Sequence, residues 1–173
     1  AIVGIGALAN DALARHSGLP CWDAPAGGVL VDKFCRTADA SIHAIGDVAA
    51  FELRGQTTRL ESVQNACDQA RALAQTLMGT RTAYAPVPWF WSDQYDKKLQ
   101  MVGLHAGADR SVFRPGKRDG TGSVWYFRAG DLIAVEAVSD PRAYMTGKAY
   151  LEKGIAISAE QILNEDRHAT ATA

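Results

Sequence analysis

Apolar residues recur at three- and four-residue steps through one stretch of the chain: Val63, Ala66, Cys67, Ala70, Leu73, Ala74 and Leu77. That spacing predicts an amphipathic helix with one apolar face, capped by Ser62 and closed by Gly79. A short helix is predicted over residues 12–16, between the Asn10-Asp11 cap and Gly18. The apolar runs at 1–6, 27–32 and 41–45 are too short for helices and read as strands, the last ending in Gly46-Asp47. Arg54-Gly55-Gln56 reads as a loop. Residues 83–88, Ala-Tyr-Ala-Pro-Val-Pro, read as an extended linker.

Beyond the linker the pattern changes. Residues 99–104, 110–114, 123–128 and 132–138 are strand-like, the last two joined by the hairpin connection Ala129-Gly130-Asp131. Asp140-Pro141 supplies a cap and a first-turn proline for a helix ending near Gly154. Ser158-Ala159-Glu160-Gln161 has the form of a capping box for a last helix, and residues 167–173 read as a frayed tail. The fold class expected is an α/β remnant of a dinucleotide-binding domain followed by an α+β C-terminal domain with an antiparallel sheet. The chain opens, without Met, on a fully apolar strand of the kind buried in parallel sheets. The expectation is therefore a piece of a longer protein.

Composition narrows the function classes. Of 173 residues 47% are hydrophobic and 21% charged, a globular balance. Eighteen basic and 19 acidic side chains leave a net charge of -1, which argues against a nucleic-acid stripe. No apolar run approaches the ~20 residues of a membrane span. Cys21, Cys35 and Cys67 form no C-x-x-C and no disulfide framework, which points to a reducing, cytoplasmic setting.

Three segments are candidates for chemistry. Gly46-Asp47 follows an apolar strand, where ligands of α/β sheets bind, and a carboxylate there can accept from sugar-like hydroxyls; a plain structural turn is the alternative. Glu61-Ser62-Val63-Gln64-Asn65-Ala66 opens the long helix, whose free N–H groups and positive dipole end suit an anion or a reducible ring; a capped surface helix is the alternative. Pro88-Trp89-Phe90-Trp91-Ser92-Asp93-Gln94-Tyr95 holds three consecutive aromatics, either for a flat cofactor ring or as a core plug. His16, His43, His105 and His168 lack metal-ligand spacing. Lys97-Lys98 and Lys117-Arg118 are solvated charges or docking charges for an acidic protein.

The order of these motifs, from Ile45-Gly46-Asp47-Val48 through Glu-Ser-Val-Gln-Asn-Ala to Pro-Trp-Phe-Trp-Ser-Asp-Gln-Tyr, resembles the FAD-dependent ferredoxin reductases of bacterial oxygenase systems, the putidaredoxin reductase type. Within it the chain is expected to be the C-terminal portion only: residues 1–26 the end of the NAD-binding domain and crossover, 27–82 the returning part of the FAD-binding domain, and 83–173 the reductase C-terminal domain. The resemblance implies FAD, NAD(P)H as hydride donor and a [2Fe–2S] ferredoxin as partner, with no nucleic acid and no membrane. It implies that Asp47 binds the ribityl chain, that Val63 offers its backbone N–H to the flavin pyrimidine, that Trp91 and Trp89 line the flavin, and that Glu61 lies toward the nicotinamide. No catalytic side chain is implied. Taken alone, the 173 residues are expected to oxidise no NADH. The rival readings are a flavin-free docking or dimerisation module and another flavin-dependent NADH oxidoreductase of the apoptosis-inducing-factor kind.

Overall fold

The computed structural model describes residues 1–3 and 6–169 and divides into two compact units, Ala1–Pro86 and Val87–Ala173.

The first unit contains α1 (Ala12–His16), β1 (Val29–Val31), a 3-10 turn (Gly46–Val48), β2 (Ala49–Leu53), β3 (Gln56–Thr58) and α2 (Val63–Leu77). Its sheet has the order β1-β2-β3, with β1 parallel and β3 antiparallel to β2. Arg54 and Gly55, both at positive φ, turn β2 into β3, as tight hairpins require. Asp11 does not cap α1 through its side chain. Its carboxylate accepts from Arg15 Nε and Nη2 and from the Gly28 N–H, so it fastens α1 to the glycine turn ahead of β1.

Three expectations change here. Residues 41–45 form no strand, and only an isolated bridge joins Arg36 to His43. The reason is local: Asp39 Oδ1 accepts from the Ser41 N–H and Thr37 Oγ1 donates to the Ile42 carbonyl, a side-chain-made turn that competes with a ladder. The strand forms instead at Ala49, after the left-handed Gly46 has redirected the chain. Residues 1–3 are exposed and in no strand, and Gly4 and Ile5 lie outside the described residues.

The face of α2 is also reversed. Asn65, Gln69 and Ala72 are buried, whereas Val63, Cys67, Ala70, Ala74 and Leu77 are exposed. The helix turns its amides inward because buried backbone and phenol groups beside it need partners.

The second unit runs β4 (Trp89–Gln94), β5 (Lys97–Gly103), β6 (Arg110–Pro115), β7 (Gly122–Arg128), β8 (Asp131–Val138), α3 (Pro141–Lys153) and α4 (Ala159–Ala169). The strands form one antiparallel sheet ordered β4-β5-β8-β7-β6. Register places Trp89, Val102, Val135, Trp125 and Val112 in a single row across it. That row meets Ala143, Tyr144, Ala159 and Ile162 of the two helices in the core. Asp140 caps α3 by accepting from the Ala143 N–H, and Gly154 ends it at φ +63. Ser158 and Gln161 exchange reciprocal hydrogen bonds at the start of α4, as a capping box does. The helix continues to Ala169, past the onset of the expected tail, whose last residues, 170–173, lie outside the described residues. Among the described residues no helix is long and apolar enough to cross a membrane.

The expected fold class holds: a mixed sheet in the first unit and an antiparallel α+β unit after it. The expectation of a C-terminal portion only is corrected, because an N-terminal unit with its own sheet and helices accompanies the C-terminal one.

Candidate functional site

In the first unit the two candidate motifs come together. The Gly46–Val48 turn packs on the first turn of α2: a Cβ built on Gly46 would lie 3.5 Å from Ala66 Cβ. Gly46 is buried at φ +73, and its N–H donates to Gln69 Oε1 at 2.6 Å. The turn is thereby held from inside the helix, which leaves the Asp47 carboxylate exposed and without a protein partner among the described residues. Beside it, Ser62 Oγ accepts from the Asn65 N–H and the Ser62 carbonyl from the Ala66 N–H. The N–H groups of Val63 and Gln64 find no protein acceptor among the described residues, and Val63 is 70% exposed. The turn that carries an unpaired carboxylate thus packs on the first turn of a 15-residue helix whose positive end holds two unpaired donors.

Four residues to which the sequence reading gave no role build this arrangement. Asn65 Nδ2 donates to the Leu60 carbonyl and to Gln69 Oε1, while its Oδ1 accepts from the Tyr84 hydroxyl at 2.9 Å. Burial, more than the nearby Asp68, raises the Tyr84 phenol above its ordinary value and keeps it a neutral donor. Arg59, its side chain 5% exposed, donates to the carbonyls of Asp47 and Ala7 and pairs with Glu61. Glu61 is therefore already engaged, with 37% of its side chain exposed. The sign available beforehand was the i,i+4 spacing of Asn65 and Gln69, two amides one turn apart.

In the second unit Trp89 and Trp91 lie on the same face of β4, their rings stacked at 5.7 Å. Trp89 packs against the core cluster, with Lys148 Nζ 4.7 Å from its ring centre. Trp91 keeps 38% of its surface exposed. On the other face of the sheet a polar cluster was also missed. Glu136 accepts from the Tyr126 hydroxyl at 2.8 Å and faces His105 Nδ1 at 2.9 Å.

The buried side-chain amide of Gln64, neither its oxygen nor its nitrogen partnered among the described residues, adjoins the helix end. An orphaned amide, free donors and a free carboxylate suit a polar ligand with hydroxyls and ring heteroatoms, and FAD fits that description.

Residues 1–70 match the family described as pyridine nucleotide-disulphide oxidoreductase, and residues 89–171 the family described as reductase C-terminal. The first match is further ground for setting aside a C-terminal portion only. Rhodocoxin reductase of Rhodococcus erythropolis is 46% identical over 167 residues, covering 95% of this chain and 38% of that protein. Putidaredoxin reductase CamA of Pseudomonas putida is 38% identical over 149 residues, 85% of this chain and 34% of that protein. Among solved structures, the ferredoxin reductase for the CYP199A2 system from Rhodopseudomonas palustris superposes with a TM-score of 0.84 at 42% identity, over 92% of this chain and 39% of that one. The covalent putidaredoxin reductase–putidaredoxin complex superposes with a TM-score of 0.83 at 33% identity, over 92% and 38%. The chain spans about two fifths of the length of the relatives it matches.

Proposed function

Starting from two family matches that cover residues 1–70 and 89–171, we propose that the chain belongs to the FAD-dependent ferredoxin reductases of the putidaredoxin reductase type. Its function is then to pass electrons from NAD(P)H through FAD to a [2Fe–2S] ferredoxin of an oxygenase system. The observation that carries the reading is the packing of the Gly46 turn on Ala66 of the first turn of α2, with the Asp47 carboxylate and the Val63 and Gln64 N–H groups left without a protein partner among the described residues.

The chemistry FAD supplies when bound is acceptance of a hydride and release of electrons one at a time. The chain's own residues bind and tune. Asp47 accepts from ribityl hydroxyls, and the Val63 N–H donates to the pyrimidine edge. The N-terminal end of α2 favours negative charge at that edge. Trp91 presents its ring to the flavin and Trp89 backs it; the resemblance supports this assignment. Glu61, held by Arg59, stands toward the nicotinamide. Three free cysteines fit a reducing, cytoplasmic setting.

Titrating FAD into the protein tests the reading by flavin fluorescence and by the amide resonances of Val63 and Gln64. Saturable binding that Asp47→Ala weakens about tenfold is expected, the loss of one or two charge-assisted hydrogen bonds. No binding, or binding indifferent to Asp47, overturns it in favour of a flavin-free docking module. Adding NADH and a [2Fe–2S] ferredoxin to the same sample decides whether these residues alone leave NADH oxidation at the free-flavin background.

A further inference from the structure

The second unit contains a cavity of about 540 Å³, a size that accommodates a small organic ligand. One wall is the loop between β6 and β7, with Lys117 and Arg118; the other is the start of α3, with Arg142. Arg114 also lines it and is engaged within the protein. The one carboxylate in the lining, Asp140, accepts the Ala143 N–H as the cap of α3. Five arginines elsewhere hold carboxylates, Arg15 with Asp11, Arg36 with Asp32, Arg59 with Glu61, Arg71 with Asp68 and Arg110 with Glu160, whereas Arg54, Arg81 and Arg128 pair with none among the described residues. Lys117, Arg118 and Arg142 have none among the described residues. Three cations against the single Asp140 carboxylate leave an excess of positive charge at this concavity, and an anion placed among them offsets it.

The basic wall is built rather than loose. The Gly116 N–H donates to the Thr121 carbonyl, and Thr121 Oγ1 donates to the Arg118 carbonyl at 2.7 Å. A Cβ on Gly116 would fall 2.1 Å from Thr121 Oγ1, so the loop closes more tightly there than any other residue permits. The remaining lining is mixed: Pro141, Ala143 and the Tyr150 ring offer apolar surface, and Thr121, Ser139 and Thr146 offer hydroxyls.

We propose that this cavity binds a small organic anion, its charged group on Lys117, Arg118 and Arg142 and its apolar part on Pro141, Ala143 and Tyr150. Arginine's planar fork matches phosphate and carboxylate alike, so the shared chemistry is an oxyanion attached to a compact apolar body. This site is independent of the flavin reading, because none of its residues belongs to the Asp47–α2 arrangement.

The test follows amide resonances of the 15N-labelled protein during titration with phenyl phosphate, inorganic phosphate and phenol. Saturable shifts confined to residues 116–121 and 140–146 are expected, with phenyl phosphate about fivefold tighter than inorganic phosphate through its buried ring. Arg118→Gln with Arg142→Gln should weaken it about tenfold while leaving the melting temperature in place. Should the pair disturb folding, Lys117→Gln in the exposed loop gives a weaker version of the same loss. A further titration with benzoate that gives the same shifts at equal affinity would assign the site to oxyanions generally and uphold the proposal. Shifts that sodium chloride reproduces at equal ionic strength, phenyl phosphate no tighter than phosphate, or indifference to the arginines overturns it. Response to polyglutamate alone also overturns it and makes the loop a docking surface for an acidic protein.

Discussion

Gly46 and Gln69, 23 residues apart in sequence, are joined by a hydrogen bond of 2.6 Å, the glycine N–H donating to the side-chain oxygen of a fully buried glutamine. The turn that carries Asp47 is thus held by an internal residue of the helix whose first turn it faces. Replacing Gln69 by Leu removes the acceptor and strands a buried N–H, at a cost of about 1–3 kcal/mol. Urea unfolding should show that loss, and exchange of the Gly46 amide proton should accelerate by more than the loss alone requires.

Gly46→Ala separates conformation from space. The nearest atom to the added methyl, Ala66 Cβ at 3.5 Å, is at ordinary contact distance. The cost is then that of holding alanine at positive φ, about 1–2 kcal/mol. A loss well above that in thermal unfolding would show that the methyl clashes after all.

Gly147→Ala inverts the usual preference. In a helix interior alanine is favoured over glycine by about 1 kcal/mol. Here its methyl would fall 2.5 Å from Val135 Cγ2, and Val135 is fully buried in β8. The variant should be destabilised by about 1–3 kcal/mol, the ordinary cost of overpacking, as read from its melting temperature.

Tyr126 supplies a pH dependence. Burial first, and its hydrogen bond to Glu136 second, push the phenol up to about 12 from 10.0. A folded value above the unfolded one favours the protonated form, so its stabilisation is complete below pH 10 and is lost as pH rises through about 12. Absorbance at 295 nm should show Tyr126 ionising late, told apart from Tyr84 and Tyr144, which burial also raises, by subtracting the titration of Tyr126→Phe. In Glu136→Gln its midpoint should fall only part of the way, since burial is the larger cause.

The second unit was largely legible in the chain because its signals are local. Asp140-Pro141, Gly154 and the Ser158–Gln161 box act within a turn or two of themselves, and each appears where its chemistry requires. The first unit was harder to read. Helical spacing identified α2 and its Ser62 cap, but not which side faces inward, because that depends on the Gly46 N–H and the Tyr84 hydroxyl brought by distant segments. The strand expected at 41–45 failed for a similar reason: hydropathy does not register that Asp39 and Thr37 claim the backbone there. Arg59 carries no local signal in the sequence; its part appears only where Asp47, Ala7 and Glu61 converge on it.

The outward stripe of α2 includes an exposed thiol, Cys67, whereas Cys35 is buried with its ionisation pushed up to about 11 and Cys21 is only partly accessible. A maleimide dye should therefore label Cys67 first, without mutagenesis, one helical turn after Val63. The chain carries its own attachment point for an optical reporter, placed where the arrival of a coloured ligand at the helix end would quench it.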